Sequence, residues 1–88
     1  MVSVSIDNTP VSVQLGTEGD SVTVPSGEVW KVILYTHRGP TVRLNGTRCM
    51  TESHGKRELI LVSGDTVKMS YTDGDNENAF LTGFKLNA

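Results

Sequence analysis

An all-β domain, folded as a compact antiparallel β-sandwich, is the fold class this sequence predicts, and three observations predict it. Val, Ile and Thr together number 24 while Ala occurs twice; branched side chains suit a pleated, half-buried surface, and scarce Ala disfavours long helices. Apolar and polar residues alternate in one short stretch after another, the period of a strand with one face in a core. Gly, Pro, Asn and Asp fall between those stretches at the short, regular spacing of sandwiches and barrels. At 88 residues the chain makes a single domain, residues 1–88, since domains commonly run about 100–150 residues.

The elements follow in order. Val2, Val4 and Ile6 alternate with Ser3 and Ser5, and Asn8-Thr9-Pro10 ends that strand. Val11, Val13 and Leu15 form a second, stopped by Gly16-Thr17-Glu18-Gly19-Asp20. Val22 and Val24 mark a third, and Pro25-Ser26-Gly27-Glu28 turns the chain into a longer fourth over 28–36. There Trp30, Val32 and Leu34 point one way and Val29, Ile33 and Tyr35 the other, so this strand belongs at the centre of a sheet or at an oligomer contact. Arg38-Gly39-Pro40 breaks the chain; Val42 and Leu44, the Asn45-Gly46 turn and residues 47–51 then read as a hairpin, Asn-Gly being the favoured two-residue loop. A polar loop precedes a strand over 57–62, Ser63-Gly64 turns, and residues 65–72 place Val67, Met69 and Tyr71 on one face. After an acidic, Asn-rich loop, the last strand sets Phe80, Thr82, Phe84 and Leu86 against Leu81, Gly83 and Lys85. About nine short strands and no substantial helix result, with jelly-roll winding one way to connect them.

A chain this short buries only roughly 60% of the surface its unfolded form exposes, and small domains draw extra stability from disulfides, metals or oligomerisation. Cys49 is the sole Cys, which rules out an internal disulfide, and no Cys/His cluster has zinc spacing. Oligomerisation is the remaining supplement. No apolar run approaches the roughly 20 residues of a membrane span, so no membrane partner is expected. MVSVSIDNTP has neither the basic segment nor the apolar core of an export leader, and a single free Cys fits a reducing compartment. Asn45-Gly46-Thr47 matches a glycosylation sequon but reads as a hairpin turn.

Net charge is −2, unevenly placed. Residues 38–57 carry Arg38, Arg43, Arg48, Lys56 and Arg57 against Glu52, while Asp and Glu outnumber Lys and Arg on either side. A basic middle between acidic ends suits contact with an acidic surface. Nucleic acid is not the expected partner: single-strand binding interleaves basic groups with aromatics, and only Tyr35 lies nearby. Asp73-Gly74-Asp75-Asn76-Glu77-Asn78 resembles the start of a calcium loop, but Asn78 and Phe84 stand where that loop needs Gly and a bidentate Glu; a solvated turn is expected. His37, His54 and Cys49 supply a base and a nucleophile by residue type alone, with no nucleophile motif around them, so neither catalysis nor a cofactor is expected. Trp30, Tyr35 or Tyr71 could stack on a sugar, although Trp30 sits within an apolar strand and suits a core or an intersubunit seam better.

VTVPSGEVWKVIL, RLNG, ELILVSGDTVKMSY and NAFLTGFKLN, in that order, are similar to four segments of small β modules of tailed-bacteriophage virions. VTVPSGEVWKVIL resembles their V-P-(small)-G-x-x-W-K-V segment, RLNG their V-N-G turn, ELILVSGDTVKMSY their P-I-x-L-x-x-G-D-x-V hairpin, and NAFLTGFKLN their closing strand. Together they span about residues 20–87. The chain departs at Glu58, where the pattern often has Pro, and in its short 45–56 region. The resemblance implies a virion component, either a capsid decoration (cement) protein or the attachment portion of a head or tail fibre, commonly trimeric.

With the resemblance, the expectation is a non-enzymatic virion structural protein that decorates the capsid surface as a homotrimer bound to the major capsid protein or another virion protein. A fibre or tail-tip module and a glycan-binding module are the alternatives. Trp30, Val32 and Tyr35 are the residues expected to pack in the core or between subunits, and Arg38, Arg43 and Arg48 those expected to meet the partner.

Overall fold

The computed structural model describes residues 5–50, 54–72 and 77–87. Eight strands run in chain order: β1 (Ser5–Leu15), β2 (Ser21–Thr23), β3 (Val29–His37), β4 (Thr41–Leu44), β5 (Thr47–Met50), β6 (Lys56–Val62), β7 (Thr66–Tyr71) and β8 (Asn78–Asn87). They form two four-stranded antiparallel sheets ordered β1-β8-β3-β6 and β2-β7-β4-β5. First pairs with last, second with seventh, third with sixth and fourth with fifth. The described strands thus form one long hairpin whose arms pair strand by strand, rolled up so that β8 also meets β3 and β7 meets β4. That is jelly-roll winding.

The expected count of nine strands is corrected to eight. Val2 and Val4 of the first expected stretch lie outside the described residues; its remainder, Ser5 and Ile6, and the second stretch belong to one strand, because both pair with β8. The register jumps between Ile6, opposite Leu86, and Pro10, opposite Phe84, so the polar break is absorbed as an irregularity. Pro10 has no N–H to give a ladder, and β1 lies at a sheet edge, where a proline is tolerated.

The core lies between the sheets. β3 contributes Trp30, Val32 and Leu34, β8 Ala79 and Leu81, β6 Leu61, β7 Val67 and Met69, and β4 Val42, all buried. β3 is paired on both sides, as its two apolar faces require. Thr36 is the buried polar side chain of the described core; its hydroxyl accepts the Gly55 N–H at 2.8 Å and lies 3.5 Å from Met50 Sδ.

At Gly83, opposite Val32, the two central strands come unusually close. A Cβ there would collide with the Lys31 carbonyl oxygen and lie 2.7 Å from Val32 Cα. The obstacle is backbone in mid-sheet, which no rotamer change can move. Gly83→Ala is therefore expected to lower unfolding free energy by about 2 kcal/mol or more, read from urea denaturation of both proteins; an unchanged midpoint would contradict the close approach.

Candidate interaction surfaces

Strand connectivity gathers the loops at two ends. At one end stand the turns between β2 and β3, β4 and β5, and β6 and β7, which hold three of the four virion-like segments. Pro25-Ser26-Gly27-Glu28 and Val62-Ser63-Gly64-Asp65 are closed by Glu28 N–H to Pro25 O and Asp65 N–H to Val62 O, each with its Gly at positive φ in third place. The Ser63 hydroxyl accepts Gly27 N–H and donates to Glu28 O. Asp65 accepts from Val62 N–H through Oδ2 and from Asn45 Nδ2 through Oδ1, while Asn45 Oδ1 accepts Thr66 N–H. Asn45 and Gly46 have φ of 51° and 83°, as a type I′ hairpin turn needs. These groups explain the segments structurally: they tie three turns together.

Trp30 is 6% exposed, and its one polar atom is satisfied within the fold. Nε1–H donates to Glu28 Oε1 at 2.9 Å, and Lys85 Nζ meets the same oxygen at 3.0 Å. Val32 is also in the core. Tyr35 points the opposite way, onto the outer surface, 37% exposed. Of the three expected packing residues, two share the core and one does not.

The opposite end carries Arg38, which has φ 67° and whose carbonyl accepts His54 N–H. The His37 and His54 rings meet edge to face, centroids 5.1 Å apart. Cys49 stands apart on half-buried β5; burial pushes its thiol up, against a weaker opposing pull from Arg57, the reverse of what a thiolate nucleophile requires. Among the described residues no group of three or more His, Cys, Asp or Glu is placed to hold a metal ion. Most of the calcium-like loop, residues 73–76, lies outside the described residues.

The two broad outer faces differ in chemistry. On the β2-β7-β4-β5 sheet, Lys68 stands opposite Arg43, and Arg43 opposite Arg48. Neighbouring strands lie about 4.8 Å apart, so three cations stand side by side across β7, β4 and β5. No described carboxylate is ion-paired with any of them, and Arg43 donates to its own turn at Gly46 O. Like charges directly opposite one another are destabilising, so the row is a cost to the isolated fold. The structure brings Arg43 and Arg48 together, leaves Arg38 at the far end, and adds Lys68. Sequence reasoning missed Lys68 because it sits between Val67 and Met69 in an ordinary strand, far from both arginines along the chain; only the β4–β7 pairing reveals it.

The outer face of the β1-β8-β3-β6 sheet is apolar at its centre. Across it run the rows Pro10, Phe84, Lys31, Ile60 and Ser12, Thr82, Ile33, Glu58. These rows line a shallow groove of about 780 Å³. Ile60 is 65% exposed and Phe84 48%, with Val62 and Tyr35 also exposed at its margins. The chain matches no protein-family model, no curated protein and no solved structure.

Two measurements check this site description. Native Trp30 emission should be blue-shifted and shielded from iodide, whereas a water-like emission maximum would place the ring outside the core. The second is acid sensitivity. The Trp30 hydrogen bond, then Lys85, hold the Glu28 carboxyl below its ordinary range; the Val62 N–H, then Asn45, do so for Asp65. Each therefore takes up its proton at lower pH folded than unfolded. Its stabilisation is complete above the ordinary carboxylate range and is lost as pH falls through the lowered value. The thermal midpoint should drop across that window, and less steeply in Glu28→Gln and Asp65→Asn; equal slopes in all three would contradict the assignment.

Proposed function

We propose that this protein is a non-enzymatic virion structural protein, an oligomeric capsid decoration protein that lies on an acidic patch of the head surface. The observation that carries the reading is the row Lys68, Arg43, Arg48 on one outer face. A fold tolerates unrelieved like charges when another surface supplies the opposite sign, and complementary potentials favour encounter and fix orientation. The winding adds support, since jelly rolls are frequent in viral capsid domains, as do the four segments similar to tailed-phage modules. Three copies is the number that resemblance implies.

Jelly rolls also serve as lectins, but the burial of Trp30 removes the ring best suited to stack on a sugar. The decoration reading is tested with capsids of the virus encoding the chain. Arg43→Glu and Lys68→Glu should each weaken binding at least about tenfold, and raised salt should weaken the parent protein in the same direction. Both variants lie on a solvated face and should keep the parent's circular dichroism spectrum. Parent-like binding by the folded variants would overturn the basic-face reading.

A further inference from the structure

The last strand presents its two faces in an unexpected way. One alternate set is Phe80, Thr82, Phe84 and Leu86; the other is Ala79, Leu81, Gly83 and Lys85. Burial of apolar area favours turning the aromatic set inward. The fold does the reverse: Ala79 and Leu81 are fully buried and Phe84 is half exposed. Two local requirements dictate that choice. The position against the Lys31–Val32 backbone has no room for a Cβ, so it must be Gly83, and Lys85 must reach Glu28. The aromatic side of β8 is left outside, beside Ile33 and Ile60.

Exposed contiguous apolar surface of this kind marks an interaction site. The charges set into it indicate the occupant. Lys31 lies between Phe84 and Ile60, and Glu58 lies opposite Ile33, on the next row. Neither is ion-paired with a described residue. With Lys56, two residues before Glu58 on the same face of β6 and opposite Tyr35, the face carries charges of both signs, and it can meet a second copy with opposite signs facing. An anionic membrane or an acidic partner would meet Glu58 unfavourably, and a basic one would meet Lys31 so. A second copy satisfies both.

We infer that copies of this chain associate through the outer face of the β1-β8-β3-β6 sheet, with Phe84 and Ile60 as apolar anchors and Lys31 of one copy against Glu58 of its neighbour. Four strands about 4.8 Å apart, with about seven residues each at about 3.3 Å, give a footprint on the order of 400 Å² per copy. Side-chain relief brings the total over both copies to about 1,000 Å², the small end of specific contacts, so association belongs in the micromolar range. The seam faces away from the cation row, which leaves Lys68, Arg43 and Arg48 free for another surface.

This inference rests on the oligomeric part of the proposed function but stands on different residues and differs in number: one face meeting the same face closes on two copies, not on the three that the resemblance implies. Sedimentation across micromolar concentrations tests it with the full chain. The parent should self-associate. Lys31→Glu, which sets a second anion among the apolar anchors, and Glu58→Lys, which leaves only cations there, should each weaken association at least about tenfold. The double swap K31E/E58K, which restores the parent's balance of signs, should recover it to within about threefold, and Phe84→Ser should weaken it with the charges intact. A monomeric parent, single variants that associate like the parent, or a folded double swap that fails to recover would each overturn the seam. A monomer that still binds capsids through Arg43 would overturn the seam alone; a chain that associates but ignores capsids would leave the seam standing and overturn the decoration reading.

Discussion

Register is the constraint on which every surface of this protein depends. Side chains alternate along a strand, so a slip of one residue would turn each inner face outward. The Asp65 carboxylate is central to preventing that slip. It holds the Val62 N–H of its own turn and the Asn45 side chain of a neighbouring turn. Its backbone accepts Val24 N–H, while Gly64 N–H donates to Val24 O. Both sheets and three turns are thereby pinned at one end. Glu28 does similar work between Trp30 on β3 and Lys85 on β8. With these anchors in place, Val32, Leu34 and Leu81 face the core, and Lys31, Ile33 and Phe84 have no choice but to face out.

Two dissimilar broad faces follow from that fixed register. The same sandwich shows an apolar surface set with charges of both signs on one side and a row of cations on the other. Each is unfavourable for an isolated small domain: one leaves apolar area in water, the other crowds like charges. A chain with a limited core has little stability to spare. Retaining both features is understandable when each face is covered in the working assembly, one by another copy and one by an acidic surface. A virion component that must join its own kind and also sit on a larger lattice has that pair of needs.

Much of the fold was legible in the sequence because it rests on local chemistry. Alternation over Trp30, Val32 and Leu34 gave the inner face of β3, and Asn45-Gly46 gave the β4–β5 turn. The break at Asn8-Thr9-Pro10 misled because turn residues signal an ending, whereas β8 pairs with the chain on both sides of it. The sequence also could not tell which side of β8 goes in. Its alternation was plain, but the deciding facts are the backbone approach at Gly83 and the reach of Lys85 to Glu28, which are tertiary. Lys68 was hidden for the same reason: its neighbours in the row come from other strands. Trp30 drew attention as the sole Trp and proved to be core, while Phe84, less conspicuous in sequence, holds the exposed position.

Mapping amide chemical shifts by nuclear magnetic resonance over a dilution series tests the separation of the two faces most directly. The account predicts that concentration-dependent shifts cluster on β8, β3 and β6 around Phe84, Lys31 and Ile60, while Arg43, Arg48 and Lys68 stay unmoved. Shifts centred on the cation row, or no concentration dependence at any residue, would contradict it.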